Sequence, residues 1–384
     1  MQRSLLMKDK VRMYRRELHR IPELGFELYK TKAYILEQLK GYDCEILEVC
    51  GTGVCAFFPS RENDGKGSQR TDTVALRCDM DALPVLEETG ASYQSVHEGV
   101  MHACGHDGHM AMLLSVAGEL NKIIHLLSHN VLLIFQPAEE TTGAADALCK
   151  TGILQKYGVK RIYGFHLWPM LEKNAVGSRA NEFMAKSSEL DLVIEGKSVH
   201  CADAPQGIDA LEIGCRLVNE LYAMEKQELP ADEYRLLKFG RMESGKVRNT
   251  ISGSTVLEGS VRCFHEETGD YLLRRIHEIT ALFEKKHGCR ISIKRSDGHP
   301  AVLNDPLLFE EAKELLSDYR FHTFEKPFMQ AEDFSCYQKV VPGLYLFLGT
   351  GTGIPLHSSS FDFDEEVLET GIEIYLKLLK ELRL

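Results

Sequence analysis

The stretch Ser187-Ser-Glu-Leu-Asp-Leu-Val-Ile-Glu195 opens the run whose element order decides the fold. It reads as a strand from Leu190 to Glu195, followed by a helix from Ile208 to Glu228 and two strands, Tyr234 to Ser244 and Ser254 to Phe264. A helix from Glu267 to His287 and a strand from Arg290 to Arg295 complete it. This βαββαβ order is the ferredoxin-like α+β pattern, a self-contained unit. Outside it the chain alternates differently. Helical spacing runs to about Leu18 and again from Tyr29 to Leu39. Strand-like runs follow at Gly53 to Phe58 and Thr73 to Cys78, then a helix from Met110 to Lys122 and a strand from Asn130 to Phe135. A helix near Ala144 to Lys150 and a strand from Arg161 to Phe165 continue the series, which resumes after the insert with Gly343 to Leu348 and a last helix from Phe363 to Leu382. The expected architecture is α/β: an outer domain with a helix-covered central sheet, interrupted by the ferredoxin-like α+β unit. The boundaries expected are 1–186 and 298–384 for the outer, discontinuous domain and 187–297 for the insert, read as a lid. The polar connector from Ser60 to Asp72 reads as a solvated hairpin loop without function.

Length agrees with two domains, since 384 residues exceed one ordinary core and 44% hydrophobic residues suffice to bury two. A net charge of −12 without a Lys/Arg-rich tract argues against a nucleic-acid partner. No stretch has the length and apolarity of a membrane span, and the first residues lack the apolar core of a signal peptide. Eleven cysteines, an odd number without framework spacing, point to reduced thiols and a cytoplasmic location. Most of them, such as Cys44, Cys50, Cys149, Cys215 and Cys289, read as small buried hydrophobes.

Chemistry concentrates in Met101-His-Ala-Cys-Gly-His-Asp-Gly-His109. Cys104 and His106 stand at i and i+2, and Gly105 permits the tight turn that would aim both at one ion. The apolar strand ending at Phe135 runs into Gln136-Pro-Ala-Glu-Glu140, two adjacent acids. His166 closes another strand, and His357 lies in Gly349-Thr-Gly-Thr-Gly-Ile-Pro-Leu-His357. Five Cys, His and carboxylate donors exceed one tetrahedral ion and suit two ions sharing a bridging ligand, the arrangement of two-metal hydrolysis. At a strand end, consecutive side chains point apart, so one glutamate could bind metal while its neighbour serves as general base. Asp79 and Asp81, at a further strand end, could orient a ligand imidazole. Singly, each signal has a plain alternative. Adjacent glutamates commonly start solvated helices, Asp79 and Asp81 can cap a turn, and Cys104 could belong to a structural zinc knuckle, although those favour paired CxxC thiols. His102 and His109 read as packing or supporting groups.

Taken in order, Asp79-Met-Asp-Ala-Leu-Pro84, Met101 to His109, Phe135-Gln-Pro-Ala-Glu-Glu140, Gly164-Phe-His166, Gly196-Lys-Ser-Val-His200, Asn249-Thr-Ile251, Glu332-Asp-Phe334 and Leu356-His357 resemble the M20 metallopeptidase superfamily. More narrowly they resemble its amidohydrolase branch, which includes N-acyl-amino-acid deacylases, hippurate hydrolases, auxin-conjugate hydrolases and N-acetyldiaminopimelate deacetylases. The resemblance extends from His19-Arg-Ile-Pro-Glu23 almost to the C-terminus. It implies Cys104, His106, Glu140, His166 and His357 as metal ligands and Glu139 as general base. By the same resemblance Asp81 orients a group of the site, His200 steadies the carbonyl oxygen, and Asn249 and Arg262 grip a substrate carboxylate. Lys246, Val247 and Arg248 depart from the small or apolar residues usual there, and no role for the His19 segment follows from its residues.

The function so implied is metal-dependent hydrolysis of the amide bond of N-acyl amino acids, with two divalent ions per chain, zinc or manganese first and nickel or cobalt next. A dipeptidase or aminoacylase of broad scope is the alternative enzyme, and an inactive metal-binding homologue the alternative from another class. The expected partners are the small-molecule substrate and a second copy of the chain bound through the inserted domain, with neither nucleic acid nor membrane.

Overall fold

The computed structural model describes residues 2–60, 72–141, 143–296 and 298–381. They form two compact units: Met1–Phe183 with Leu303–Lys326 and Asp333–Leu384, and Met184–Val302 with Pro327–Glu332. Among the described residues no helix is long and apolar enough to cross a membrane. None of the eleven cysteines forms a disulfide.

The first unit begins with α1 (Gln2–His19) and α2 (Tyr29–Leu39), followed by strands β1 (Glu45–Val49), β2 (Gly53–Phe58) and β3 (Thr73–Asp79). Then come α3 (His106–Ile123), β4 (Asn130–Gln136), α4 (Ala144–Lys150), α5 (Ile153–Lys156), β5 (Val159–Trp168), β6 (Val176–Ser178) and β7 (Asn181–Met184). In the second unit lie β8 (Lys186–Glu195), α6 (Ala210–Glu228), β9 (Leu236–Ser244), β10 (Ser254–Cys263), α7 (Glu266–His287) and β11 (Arg290–Arg295). The chain ends with β12 (Val302–Asn304), α8 (Pro306–Leu315), β13 (Phe321–Thr323), α9 (Ser335–Gln338), β14 (Gly343–Gly349) and α10 (Glu366–Glu381).

Eight strands build the large sheet in the order β1-β2-β4-β3-β5-β14-β6-β13, and β7 pairs with β12 as a short ribbon. The central strands β4, β3, β5 and β14 run parallel. Parallel strands covered by helices on both faces must be apolar throughout rather than alternating. Every residue of β3 and β14 is accordingly buried. Parallel strands also deliver their carboxyl ends to one edge, the edge where open α/β sheets place their sites. Asp79, Gln136, Trp168 and Gly349 end the four central strands there.

Two expectations are corrected. The run from Ser60 to Asp72 is no hairpin connection, because β4 lies between β2 and β3, with β2 antiparallel and β3 parallel to it; residues 61–71 lie outside those described. And α3 begins at His106, one turn before Met110, because Gly105 at φ 85° supplies a left-handed N-cap that only glycine adopts without strain. Gly108, inside the first turn, lets the helix approach the sheet: a Cβ there would come within 2.9 Å of Leu167 and Phe363.

The second unit has its own antiparallel sheet, ordered β11-β8-β10-β9, the ferredoxin-like arrangement. Leu190, Leu192 and Ile194 of β8 and Leu257 of β10 pack against Leu217 and Leu221 of α6 and Ile276 of α7 in a separate core. Asp209 caps α6 through the N–H groups of Leu211 and Glu212, and Gly288 ends α7 in the left-handed region.

Candidate metal centre

Four segments at the carboxyl edge of the large sheet carry the five candidate ligands. The turn before α3 holds Cys104, the first residue of α3 is His106, the turn after β4 holds Glu140, β5 holds His166, and the loop after β14 holds His357. Their donor atoms fall into two overlapping groups, Cys104 with His106 and His166, and Cys104 with Glu140 and His357, each within 4.8 Å. Cys104 belongs to both groups.

Three imidazoles have their tautomers fixed by neighbours. His106 donates Nδ1–H to the Asp81 carbonyl at 2.8 Å, which leaves Nε2 as the lone-pair atom. His166 donates Nδ1–H to the Leu167 carbonyl at 2.7 Å, and its Nε2 lies 3.3 Å from Cys104 Sγ. His109 is different: Nδ1–H goes to Asp79 at 2.6 Å, and Nε2 accepts the Leu167 N–H at 2.9 Å, so both nitrogens are spent. Asp79, His106 and His109 also lie close enough to form a group, but Asp79 is further engaged by Arg77 at 2.9 Å. That group is a support for the strand end and not a ligand set.

The donors fit a cation. His106 Nε2 and Glu140 Oε1 are buried, 3.8 Å apart, and without a hydrogen-bond partner among the described residues. Burying such atoms unpaired costs free energy that a bound cation would recover. Thiolate, imidazole and carboxylate are the donors that zinc-like ions take. The electrostatics agree. Burial, together with the charges of Glu140 and Glu139, pushes the Cys104 thiol well above its ordinary range, and burial pushes His166 down to about 3. Burial works against the charge on Glu140, yet the neighbouring imidazoles of His357, 3.3 Å away, and His106 hold it at about 2. A positive ion is what would turn that thiol into a thiolate.

The two glutamates do not diverge as strand neighbours. β4 ends at Gln136, and Ala138 takes φ 56°, so the chain turns sharply before them. The Asp81 carboxylate accepts the N–H of Glu139 at 2.9 Å and of Glu140 at 3.1 Å and so fixes this turn. Burial raises Asp81 to about 6 against the pull of His106 and these two bonds. Glu139 keeps a carboxylate oxygen near His106 and Glu140. Beneath the site, buried Arg77 joins Asp79, Gln136 and Asp333, the last at 2.7 Å, while Tyr337 donates to Gln136 at 2.9 Å. The sequence hinted at this through the acids after β3 but offered no sign of Arg77, which sits in the middle of an apolar strand.

In the second unit, His200 is exposed, and its Nδ1 accepts the Ala202 N–H at 3.2 Å. Its segment pairs with Thr250, and the Asn249 carbonyl accepts the Cys201 N–H at 2.9 Å, so His200 and Asn249 are held together. Arg262, on β10, is half-buried and donates to the Met329 carbonyl.

Residues 75–381 match the model of peptidase family M20/M25/M40. An uncharacterized hydrolase of Staphylococcus epidermidis is 30% identical over 380 residues, covering 96% of this chain and 97% of the relative. One from Staphylococcus aureus is 32% identical over 383 residues, with the same coverage. Among solved structures, a dinuclear metal-binding peptidase of the M20 family from Bacillus subtilis superposes with a TM-score of 0.82 at 28% identity, covering 98% of this chain and 99% of that one.

Proposed function

This chain belongs to peptidase family M20/M25/M40, a family of metal-dependent hydrolases of amide and peptide bonds, and from that premise we propose that it releases the acyl group from N-acyl amino acids. The observation that carries the reading is the pairing of two carboxylates on one tether: Asp81 fixes the amides of both Glu139 and Glu140, while Glu140 alone also groups with Cys104 and His357. A purely structural ion has no use for the second carboxylate. In this reading Cys104, His106, Glu140, His166 and His357 hold two divalent ions, zinc or manganese first, which when bound supply Lewis acidity and an acidified water. Glu139 takes the proton of the attacking water and returns it to the departing amine. Asp81 holds the turn that carries Glu139. His200 steadies the oxygen of the acyl carbonyl as charge develops, and Asn249 and Arg262 take the free carboxylate of the amino acid. A second copy of the chain, bound through the second unit, is the proposed partner. The eleven thiols, none of them in a disulfide, support placing the enzyme in a reducing compartment.

The test is a panel of acetyl, benzoyl and longer acyl amino acids, with dipeptides beside them, offered to protein reconstituted with each metal. Turnover of acyl amino acids above dipeptides supports the reading. Preference for dipeptides favours the peptidase alternative, and no turnover with both ions bound favours an inactive homologue.

A further inference from the structure

His166 and His357 are held by different means. His166 sits inside β5, paired in the ladder with Phe347 of β14, two residues past the end of the pairing with β3. His357 sits in a loop outside helix and strand, with φ 66° and a side chain 53% exposed. Cys104 likewise lies in a turn outside the ladder. Regular structure therefore sets the position of one ligand and leaves the distance between the Cys104–His106 turn and the His357 loop to something else.

The last turn of α1 touches both. His19 donates Nδ1–H to Asp107 at 2.8 Å, and Arg15 donates to the same oxygen at 3.1 Å; Asp107 directly follows His106. Arg15 also reaches Asp362 and the Phe363 carbonyl, at 3.3 Å for the latter, and stacks on the Phe363 ring at 3.8 Å. Arg16 binds Glu365 at 2.7 Å. The other His19 nitrogen donates to Glu87 at 3.2 Å. The neighbour of Glu87, Glu88, donates its N–H to the Ser359 carbonyl at 2.8 Å and accepts the Ser359 hydroxyl at 2.6 Å. Three cations of one helical turn thus hold Asp107 on one side and the segment following His357 on the other. Buried charges are retained only where every partner is in place, and His19 and Arg15 are each 1% exposed.

We propose that His19 and Arg15 are positioning residues of the metal centre: with Glu87 and Ser359 they clamp the Cys104–His106 turn to the His357 loop and set the geometry of the ion that Cys104, Glu140 and His357 would share. This gives the His19 segment the role that its residues alone did not disclose. The inference rests on the two-ion reading of the site.

The test is a cobalt(II) titration of metal-free protein, following the thiolate-to-cobalt absorption of Cys104 and the d–d bands, with circular dichroism to confirm folding. His19→Gln keeps one donor and loses the bridge. It should weaken one of the two binding steps tenfold or more and leave the other within threefold, because the set with His106 and His166 is anchored by α3 and β5. Ser359→Ala, at an exposed link, should weaken the same step about threefold. Excess metal should restore kcat in both variants with KM unchanged. Loss of stability alone would weaken both steps alike, so equal weakening overturns the clamp, as does no change in either step. Should His19→Gln fail to fold, Ser359→Ala decides: weakening of that step with the other unmoved supports the clamp, and equal weakening of both steps, or of neither, overturns it. If the wild-type protein binds no thiolate-linked cobalt, the metal reading itself fails, and the clamp falls with it.

Discussion

Glu139 and Glu140 are chemically identical neighbours, and both have their amide N–H on the Asp81 carboxylate, so any division of labour must come from what each side chain faces. Glu140 lies 3.3 Å from His357 Nε2 and 3.8 Å from His106 Nε2, in the groups that hold Cys104 and His357; Glu139 groups with His106 and Glu140 and also with Asp333, but not with Cys104 or His357. Glu139→Gln should therefore keep both ions, measured by elemental analysis, and lose on the order of 10²–10⁴-fold in kcat, the worth of a general base. Glu140→Gln should lose metal instead. Activity of Glu139→Gln within a few-fold of wild type would remove the base assignment. Arg262 makes a complementary case. One of its five N–H donors is on the Met329 carbonyl, and the fork can still offer others to a carboxylate. Arg262→Ala should cost roughly 2–5 kcal/mol in kcat/KM for substrates with a free carboxylate, the penalty of breaking a desolvated charge pair. Amidated substrates should be poor for both forms and nearly indifferent to the change, with metal content constant. Equal damage to both substrate kinds would make Arg262 a structural residue of β10.

At the scale of elements, the end of α1 makes stability depend on pH in a defined direction. Burial opposes the charged form of His19, but Asp107 and Glu87 outweigh it and raise its pKa to about 9. A group whose pKa is raised on folding contributes its stability fully below its unfolded value, near 6.5, and loses it as pH climbs through the folded value. The contribution is about 3 kcal/mol at pH 6 and vanishes by about pH 10. Glu87 acts on the acid side: its pKa falls to about 2 despite burial, through the hydrogen bond from His19, so that its share is full above about pH 4.5 and is lost as pH falls from there through about 2. Melting curves of metal-free protein should show wild type losing stability between pH 6.5 and 9.5 and His19→Gln losing much less. Parallel curves for the two would mean that His19 is not charged in the fold. Elements also show what the sequence could and could not disclose. The ferredoxin-like unit was legible because its helices and strands are long and each has a clear period. The early start of α3 was not, because Gly105, His106 and Gly108 look like loop residues until the close approach to Leu167 and Phe363 is known. The placement of β4 between β2 and β3 was equally hidden, since strand order depends on pairing partners that residue patterns do not name. The candidate ligands could be singled out because metal donors are few in type, whereas the partners of His19 come from residues 68 to 88 positions away.

For the whole molecule, all five candidate ligands and Glu139 belong to the first unit, and His200, Asn249 and Arg262 belong to the second. Each unit buries its own core, Leu76, Leu133, Phe165 and Leu346 among the residues of one, Leu192, Leu217 and Leu257 among those of the other. A ligand that binds only the folded form stabilises whatever folds around it, by about 2.7 kcal/mol when its free concentration is a hundred times Kd. For a unit of this size that amounts to roughly 5–10 °C in Tm. Binding also requires Cys104 to give up its proton, and burial keeps that proton on the thiol in the absence of metal. Scanning calorimetry of the holo and chelated protein should thus show two transitions, of which only one moves on metal removal. The displacement should grow as pH rises from 6 to 8, because protons compete less with the ion for the sulfur. Limited proteolysis during the melt assigns the moving transition: peptides from α3, β5 and the His357 loop should become susceptible first in the chelated protein, while those from α6 and α7 keep their order. A chelator that shifted the transition carrying α6 and α7, or that moved nothing at any pH, would show that the ions are not held by these five side chains.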